Sequence, residues 1–222
     1  GVAHDFNNLL AIIVGNADIT LEQTDLTDAQ RRCIQQILDA ANRATDLTGT
    51  MLDYAGGVPV AYDTVDFGAL TLDAVSLLRS SISKKAQIDV TAWPGVFVEG
   101  HVGQLSQVVV NVVTNAAESL PEEGGRISVT IDAVDLTEND VQRFGGEVSP
   151  GEAWLLRVRD DGGGMEPETQ RRFFDPFFTT KESGRGLGLS AVLGIIKSHR
   201  GAVYLESEET RGTKIEIVLP RA

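Results

Sequence analysis

From residue 6 to residue 21 the apolar positions Phe6, Leu9, Leu10, Ile13, Val14, Ala17 and Leu21 recur at spacings of three and four. That is the repeat of an α-helix, so these side chains gather on one face. The polar residues 23–28 separate this run from a second of the same period: Ile34, Ile37, Leu38, Ala41, Ala44, Leu47, Met51 and Leu52. Gly56, Gly57 and Pro59 then end it. Two amphipathic helices with a short connection predict an antiparallel hairpin, and a lone hairpin leaves much of its stripe in water. Pairing of two hairpins into a four-helix bundle, and hence a homodimer, is the expected remedy.

Past residue 63 the pattern becomes mixed. Residues 67–79 read as a helix, 87–91 as a strand and 102–120 as a long, largely apolar helix. Strand patterns follow around 127–134 and 154–159, then helices around 167–174 and 187–199, and closing strands at 202–207 and 213–219. The polar residues 136–150 read as an inserted loop. Strands interleaved with helices predict an α/β sandwich. The expected fold class is therefore α+β, a helical hairpin over residues 1–60 followed by a sandwich over residues 61–222.

Composition narrows the partners. In 222 residues, 42% of them hydrophobic, there is material for a sizeable core. A net charge of -13 opposes a phosphate backbone, so nucleic acid is not an expected partner. The single cysteine, Cys33, can form neither an internal disulfide nor a paired-thiol zinc site, which fits a cytoplasmic, reducing setting. Its place on the second helix suggests a small core or interface residue. No apolar run approaches the roughly 20 residues that span a bilayer, and a signal-peptide pattern is missing, so no membrane contact is expected of this stretch. His101 and His199 stand outside any cluster and read as structural or surface residues, and Glu206, Glu208 and Glu209 as a solvated turn.

Four segments carry candidate chemistry. Asn111 and Asn115 are four apart in NVVTNAAE, so both amides leave one face of the long helix. An amide oxygen there can ligand Mg²⁺, a hard cation that usually bridges to substrate phosphates. The 154–159 strand runs into Asp160, Asp161, Gly162, Gly163, Gly164 and Met165. A carboxylate there can accept a hydrogen bond from a base amino group, and the glycines let backbone approach a ligand; a surface turn is the plain alternative. Next comes FFDPFFTTK, whose Phe173 and Phe174 read as core and whose Lys181 stands beside another glycine run. That run, GRGLGL, contains Gly184, Arg185, Gly186, Leu187 and Gly188 and opens a helix. Free amides at a helix N-terminus suit phosphate.

The order of these segments resembles the N, G1, F and G2 boxes of the histidine kinase ATP-binding domain, with Gly212 and Thr213 resembling the last glycine box. HDFNN, from His4 to Asn8, resembles the phospho-acceptor box of the same enzymes. The resemblance spans residues 4–220 and implies a dimerising hairpin followed by a Bergerat-type sandwich, the fold shared with gyrase, Hsp90 and MutL proteins. It implies ATP and Mg²⁺ as cofactors. Asn115 would ligand the metal, with Asn111 near the phosphates. Asp160 would read the adenine amino group, Gly162 and Gly164 would shape the pocket floor, and Thr213 would support the adenine end. Residues 177–188 would form an ATP lid, with Gly184, Gly186 and Gly188 near the phosphates. Many members carry a basic residue shortly after the second asparagine, whereas Glu118 stands here, so Lys181 or Arg185 is the expected phosphate partner.

His4 would accept the phosphoryl group. A neutral imidazole is a competent nucleophile, Asp5 can hold its other nitrogen, and Asn8 lies one turn on. The family further implies transfer to the receiver domain of a response regulator, with phosphatase activity through Asn8. Because the chain starts just before His4, a larger parent is expected, which could be membrane-anchored. Three alternatives use the same sandwich: a clamp ATPase, a nucleotide-binding scaffold without catalysis, and a serine kinase of the anti-sigma type. The first needs a glutamate where Asn111 stands, although Glu118 could substitute; the third lacks the acceptor hairpin.

Overall fold

The computed structural model describes residues 2–21, 26–27, 29–38, 40–41, 62–82, 86–145, 148–181, 186 and 188–222, and only the backbone for residues 2–8, 11, 80 and 81. The chain divides into two compact units, Gly1–Pro59 and Val60–Ala222.

In the first unit, helix α1 (Val2–Leu21) realises the leading apolar repeat, and α2 covers residues 29–38. A capping box starts α2: Thr27 donates from N and Oγ1 to Gln30 Oε1 at 2.9 and 2.8 Å, and Gln30 N donates back to Thr27 Oγ1 at 3.3 Å. Arg31 Nη1 ties the pair together by donating to the Leu21 carbonyl at 2.9 Å. Leu10, Ala17 and Ala41 are buried, whereas Leu9, Ile12, Ile13, Ile19 and Ile37 are exposed. Of the repeat itself Leu9, Ile13 and Ile37 are uncovered, and Ile12 and Ile19 add apolar surface beside it. Cys33 is exposed, so it is not a core residue of the hairpin: its position on α2 points outward. The remaining apolar positions of the second repeat, Ala44, Leu47, Met51 and Leu52, and the stop at Gly56, Gly57 and Pro59, lie outside the described residues.

The second unit is a two-layer sandwich. Strands β2 (Ala86–Thr91), β4 (Gly125–Leu136), β5 (Gly151–Asp160), β7 (Gly212–Pro220) and β6 (Ala202–Glu208) form one sheet in that spatial order. β2 runs parallel to β4, and the other pairs are antiparallel. Helices α3 (Phe67–Ser81), α4 (Val102–Glu118) and α7 (Gly188–Ser198) pack with one face of the sheet in a single core, and the six-residue α6 (Pro167–Arg172) stands between β5 and α7 in the chain. Leu105, Val108, Val109, Val112, Val113 and Ala116 are the buried stripe of α4, and they meet Ile127, Val129, Leu156, Val158, Ile215 and Ile217 from alternate sheet positions. With that face buried, the opposite face of α4 is left for chemistry.

Two features exceed the sequence expectation. The short strands β1 (Asp63–Asp66) and β3 (Phe97–Gly100) pair into a separate antiparallel ribbon. Residues 136–150 are not simply a polar loop. They include α5 (Glu138–Arg143), started by a capping box between Thr137 and Asp140. Behind it, Phe144 and Val148 join Leu136, Leu155, Ala202 and Val218 in a second core on the outer sheet face. Arg143 also bonds Glu216, a carboxylate only 3% exposed that Arg157 Nε reaches at 2.9 Å. The Glu206 to Glu209 stretch is partly strand, since β6 continues through Glu208, and Glu206 pairs with Lys214 at 2.7 Å.

Candidate functional site

A cavity of about 670 Å³ opens between the free face of α4 and the segments that follow β5. That size suits a small organic ligand. Asn111 and Asn115 line one wall, Gly163 and Gly164 another, and Lys181, Gly186 and Gly188 a third, with Thr213 at the base. Residues separated by up to about a hundred positions thus converge on one volume.

The loop after β5 is fixed by close backbone contacts. A Cβ on Gly162 would fall 2.4 Å from the Ser119 carbonyl oxygen, and one on Gly164, whose φ is +65°, would fall 1.9 Å from that of Glu208. Neither position has room for a side chain. Gly163 N donates to Ser119 O at 3.2 Å, and Gly163 O accepts from Thr210 N at 2.7 Å. Gln170 Nε2 clamps the far side by donating to Met165 O at 2.9 Å and Ser207 O at 2.8 Å. Gly162 itself stands behind the cavity wall.

The paired aspartates divide their work. Asp161 Oδ1 accepts from Arg126 N at 2.7 Å, which fastens the loop to β4. Asp160 is 3% exposed and sits just behind Ser119 and Thr213, both of which reach the cavity. Its Oδ1 accepts from Gly162 N at 2.9 Å and Thr213 N at 3.2 Å. Burial pushes the Asp160 carboxyl above the ordinary carboxylate range, against the opposing pull of the Gly162 amide, the Ser119 hydroxyl and the Thr213 amide. Both backbone donors fall on Oδ1, and the Ser119 hydroxyl also bonds the carboxylate. Thr213 is held in turn by Ser207, their hydroxyls 3.0 Å apart.

On the opposite side, Asn111 Nδ2 donates to the Gly188 carbonyl at 2.9 Å and fixes the start of α7 against α4. Asn115 Oδ1 and Glu118 Oε2 both receive the Lys181 ammonium, at 3.0 and 2.7 Å. The donor set here is all oxygen and already holds a cation, which fits a hard metal ion such as Mg²⁺. Among the described residues no group of three or more His, Cys, Asp or Glu side chains could hold a metal by itself. A metal at Asn115 would therefore need ligands from elsewhere, as it has when it shares phosphate oxygens.

Ser119, Glu118 and Thr169 line the cavity without having been singled out as binding residues. Only Glu118 carried a signal, as a departure from a motif; Ser119 is visible just as the end of a helix. Gly184, Arg185 and Leu187 lie outside the described residues. His4, Asp5 and Asn8 fall on α1, in the other unit, where only their backbone is described. His199 is structural: Nδ1 donates to Ile195 O at 2.7 Å and Nε2 accepts from His101 N at 3.1 Å. His101 caps α4, its Nδ1 accepting from Gln104 N at 3.3 Å. Among the described residues no helix is long and apolar enough to cross a membrane.

Comparison with known proteins places this geometry. Residues 100–222 match the family described as histidine kinase-, DNA gyrase B- and HSP90-like ATPase, and residues 1–56 match the His Kinase A (phospho-acceptor) domain. Sensor kinase CckA of Brucella abortus is 34% identical over 230 residues, covering 100% of this chain and 24% of that protein. Sporulation kinase E of Bacillus subtilis is 30% identical over 224 residues, covering 99% and 28%. The structure of full-length ShkA in complex with AMPPNP superposes with a TM-score of 0.73 at 25% identity, covering 100% of this chain and 45% of that one. The mycobacterial sensor histidine kinase MprB gives 0.59 at 27% identity, covering 72% and 97%. The chain spans about a quarter of the two relatives' length. With a phospho-acceptor domain joined to an ATPase-type sandwich, this chain belongs to the sensor histidine kinases.

Proposed function

We propose that this chain is a catalytic core that binds Mg²⁺–ATP in the α4 cavity and moves the γ-phosphoryl group onto His4. The observation that carries the proposal is the meeting of Asn115, Lys181, Gly164 and Thr213 around one cavity, with Asp160 behind its base. The adenine amino group donates to the Asp160 carboxylate, between Ser119 and Thr213. The phosphates lie toward the glycines at the head of α7, where a positive helix end meets them, on the side of the cavity that Lys181 lines. Asn115 would hold Mg²⁺, which when bound would supply neutralising charge for the phosphate oxygens. That full-length ShkA is solved with AMPPNP supports a nucleotide in this fold.

His4 brings a lone pair on one ring nitrogen to the γ-phosphorus while Asp5 accepts a hydrogen bond from the other. The new N–P bond forms as the bond to the β,γ-bridging oxygen breaks, and ADP leaves. The imidazole proton passes toward Asp5. The phosphoryl group then goes to an aspartate on a response-regulator receiver domain, and Asn8 orients water for the separate hydrolysis of that aspartyl phosphate to inorganic phosphate. The exposed Leu9, Ile12, Ile13 and Ile19 on α1 are the surface for the second hairpin of a homodimer. The setting is cytoplasmic, with a parent protein that can be membrane-anchored.

Direct water hydrolysis of the clamp-ATPase kind is disfavoured because Asn111 cannot accept a proton at neutral pH and Glu118 is committed to Lys181. The decisive experiment is incubation with γ-labelled ATP and Mg²⁺. Acid-labile, alkali-stable label that disappears in His4→Ala is the expected result; label that survives His4→Ala excludes His4 as acceptor.

A further inference from the structure

The ammonium of Lys181 is placed unlike an ordinary surface lysine. It reaches across the cavity to α4, where Asn115 and Glu118 are one turn apart, and takes an oxygen from each at 3.0 and 2.7 Å. Its own backbone is steadied by the bond from Lys181 N to Thr179 Oγ1 at 3.1 Å. The side chain is one-third exposed, at 33%, and Glu118 more so, at 54%. A carboxylate and an amide oxygen thus draw a positive charge to the atom assigned to the metal.

We infer that Lys181 is a built-in cation at the metal position, which Mg²⁺ must displace from Asn115, and that Glu118 is the positioning residue that holds it ready; this rests on the cavity being a nucleotide site. An oxygen ligand of Mg²⁺ lies at about 2.1 Å, so an ammonium 3.0 Å from the same oxygen would share its lone pairs and repel the ion. The two cations are alternatives on Asn115 Oδ1. Without a divalent ion, Lys181 supplies the charge beside the phosphates and permits metal-free binding. With Mg²⁺ present the lysine swings from Asn115 while Glu118 keeps it at the cavity edge. The lysine strap over residues 178–181 is thereby released by the same ion that completes the site.

The test compares ADP binding by calorimetry in EDTA and in excess Mg²⁺, for the wild-type chain, Lys181→Met and Lys181→Arg. Lys181→Met is expected to weaken metal-free binding about tenfold or more but Mg²⁺-dependent binding less than about threefold, with Lys181→Arg recovering most of the metal-free affinity. In parallel, Glu118→Gln in the nucleotide-free protein is expected to speed amide hydrogen exchange over residues 178–181, because the strap loses its charged anchor. Equal loss of affinity in EDTA and in Mg²⁺ overturns the inference and leaves Lys181 a plain phosphate contact in a valid nucleotide site. Unchanged exchange in Glu118→Gln removes the positioning role. If well-folded wild-type chain binds no ADP even with Mg²⁺, the nucleotide site itself is refuted and the inference falls with it.

Discussion

The backbone amide of Phe177 donates to the carbonyl of Gly186 at 2.9 Å, beside the cavity that Phe178 and Gly186 line. Both residues have positive φ, 67° and 64°. A Cβ on Gly186 would lie 2.5 Å from the Phe177 carbonyl carbon and 2.6 Å from the Phe178 oxygen. The left-handed glycine is what lets the two residues meet.

Gly186→Ala should therefore strain this junction by roughly 1–3 kcal/mol. The expected outcome is weaker nucleotide binding with little change in the melting temperature of the nucleotide-free protein, measured by calorimetry and thermal denaturation. Wild-type affinity in Gly186→Ala would show that this junction plays no part in binding.

Asp160→Asn separates binding from stability. Burial raises the Asp160 carboxyl, so the native environment disfavours its charged form. The native state binds this proton more readily than the unfolded chain between the ordinary 3.8 and the raised value, and stability falls as pH rises through that window. At neutral pH the asparagine variant should melt no lower than wild type while ATP affinity drops about tenfold or more, since an amide nitrogen cannot accept from adenine. The advantage of the variant in melting temperature should shrink on acidification through the window.

The two neighbouring glycines offer an internal control. A Cβ on Gly163 meets nothing within 4 Å, whereas one on Gly164 strikes the Glu208 backbone. Gly164→Ala should lose about 2 kcal/mol or more in denaturant unfolding and Gly163→Ala less than about 1 kcal/mol. Similar losses at both positions would contradict the packing of this loop on the β6–β7 turn.

His199 gives the sandwich an acid-sensitive point. Burial lowers its pKa, with Ile195 O pulling the other way and nearby His101 adding to the lowering. Between that lowered value and the ordinary 6.5 the unfolded chain binds the proton more readily, so stability declines as pH falls below 6.5. Protonation would also turn Nε2, the acceptor for His101 N, into a donor. The melting temperature of wild type should drop on titration from neutral pH to mild acid, and His199→Gln should show a shallower slope over the same range.

Much of this architecture could be read from the chain. β4, β5, β7 and α4 announce themselves by period because each has a run of buried positions on one face. β1 and β3 are four residues each, and a run that short gives alternation too few positions to register. α5 hid inside a polar stretch, although Thr137 and Asp140 at capping-box spacing were a visible start signal. Asn111, Asn115 and the glycines were legible because their spacing is local. The bond from Lys181 to Glu118 joins residues 63 apart, and no local pattern records it.

Surface insertions in a sandwich can usually be trimmed with little penalty, but the one bearing α5 cannot. Excising it would strip Arg143 from Glu216 and bare Leu155, Ala202 and Val218, leaving a carboxylate that was dehydrated on the expectation of two guanidinium partners with Arg157 and the more distant Lys214 ammonium at 3.8 Å. Attempts to shorten this protein to a minimal nucleotide-binding module should keep residues 137–150, or replace Glu216 and its greasy neighbours at the same time.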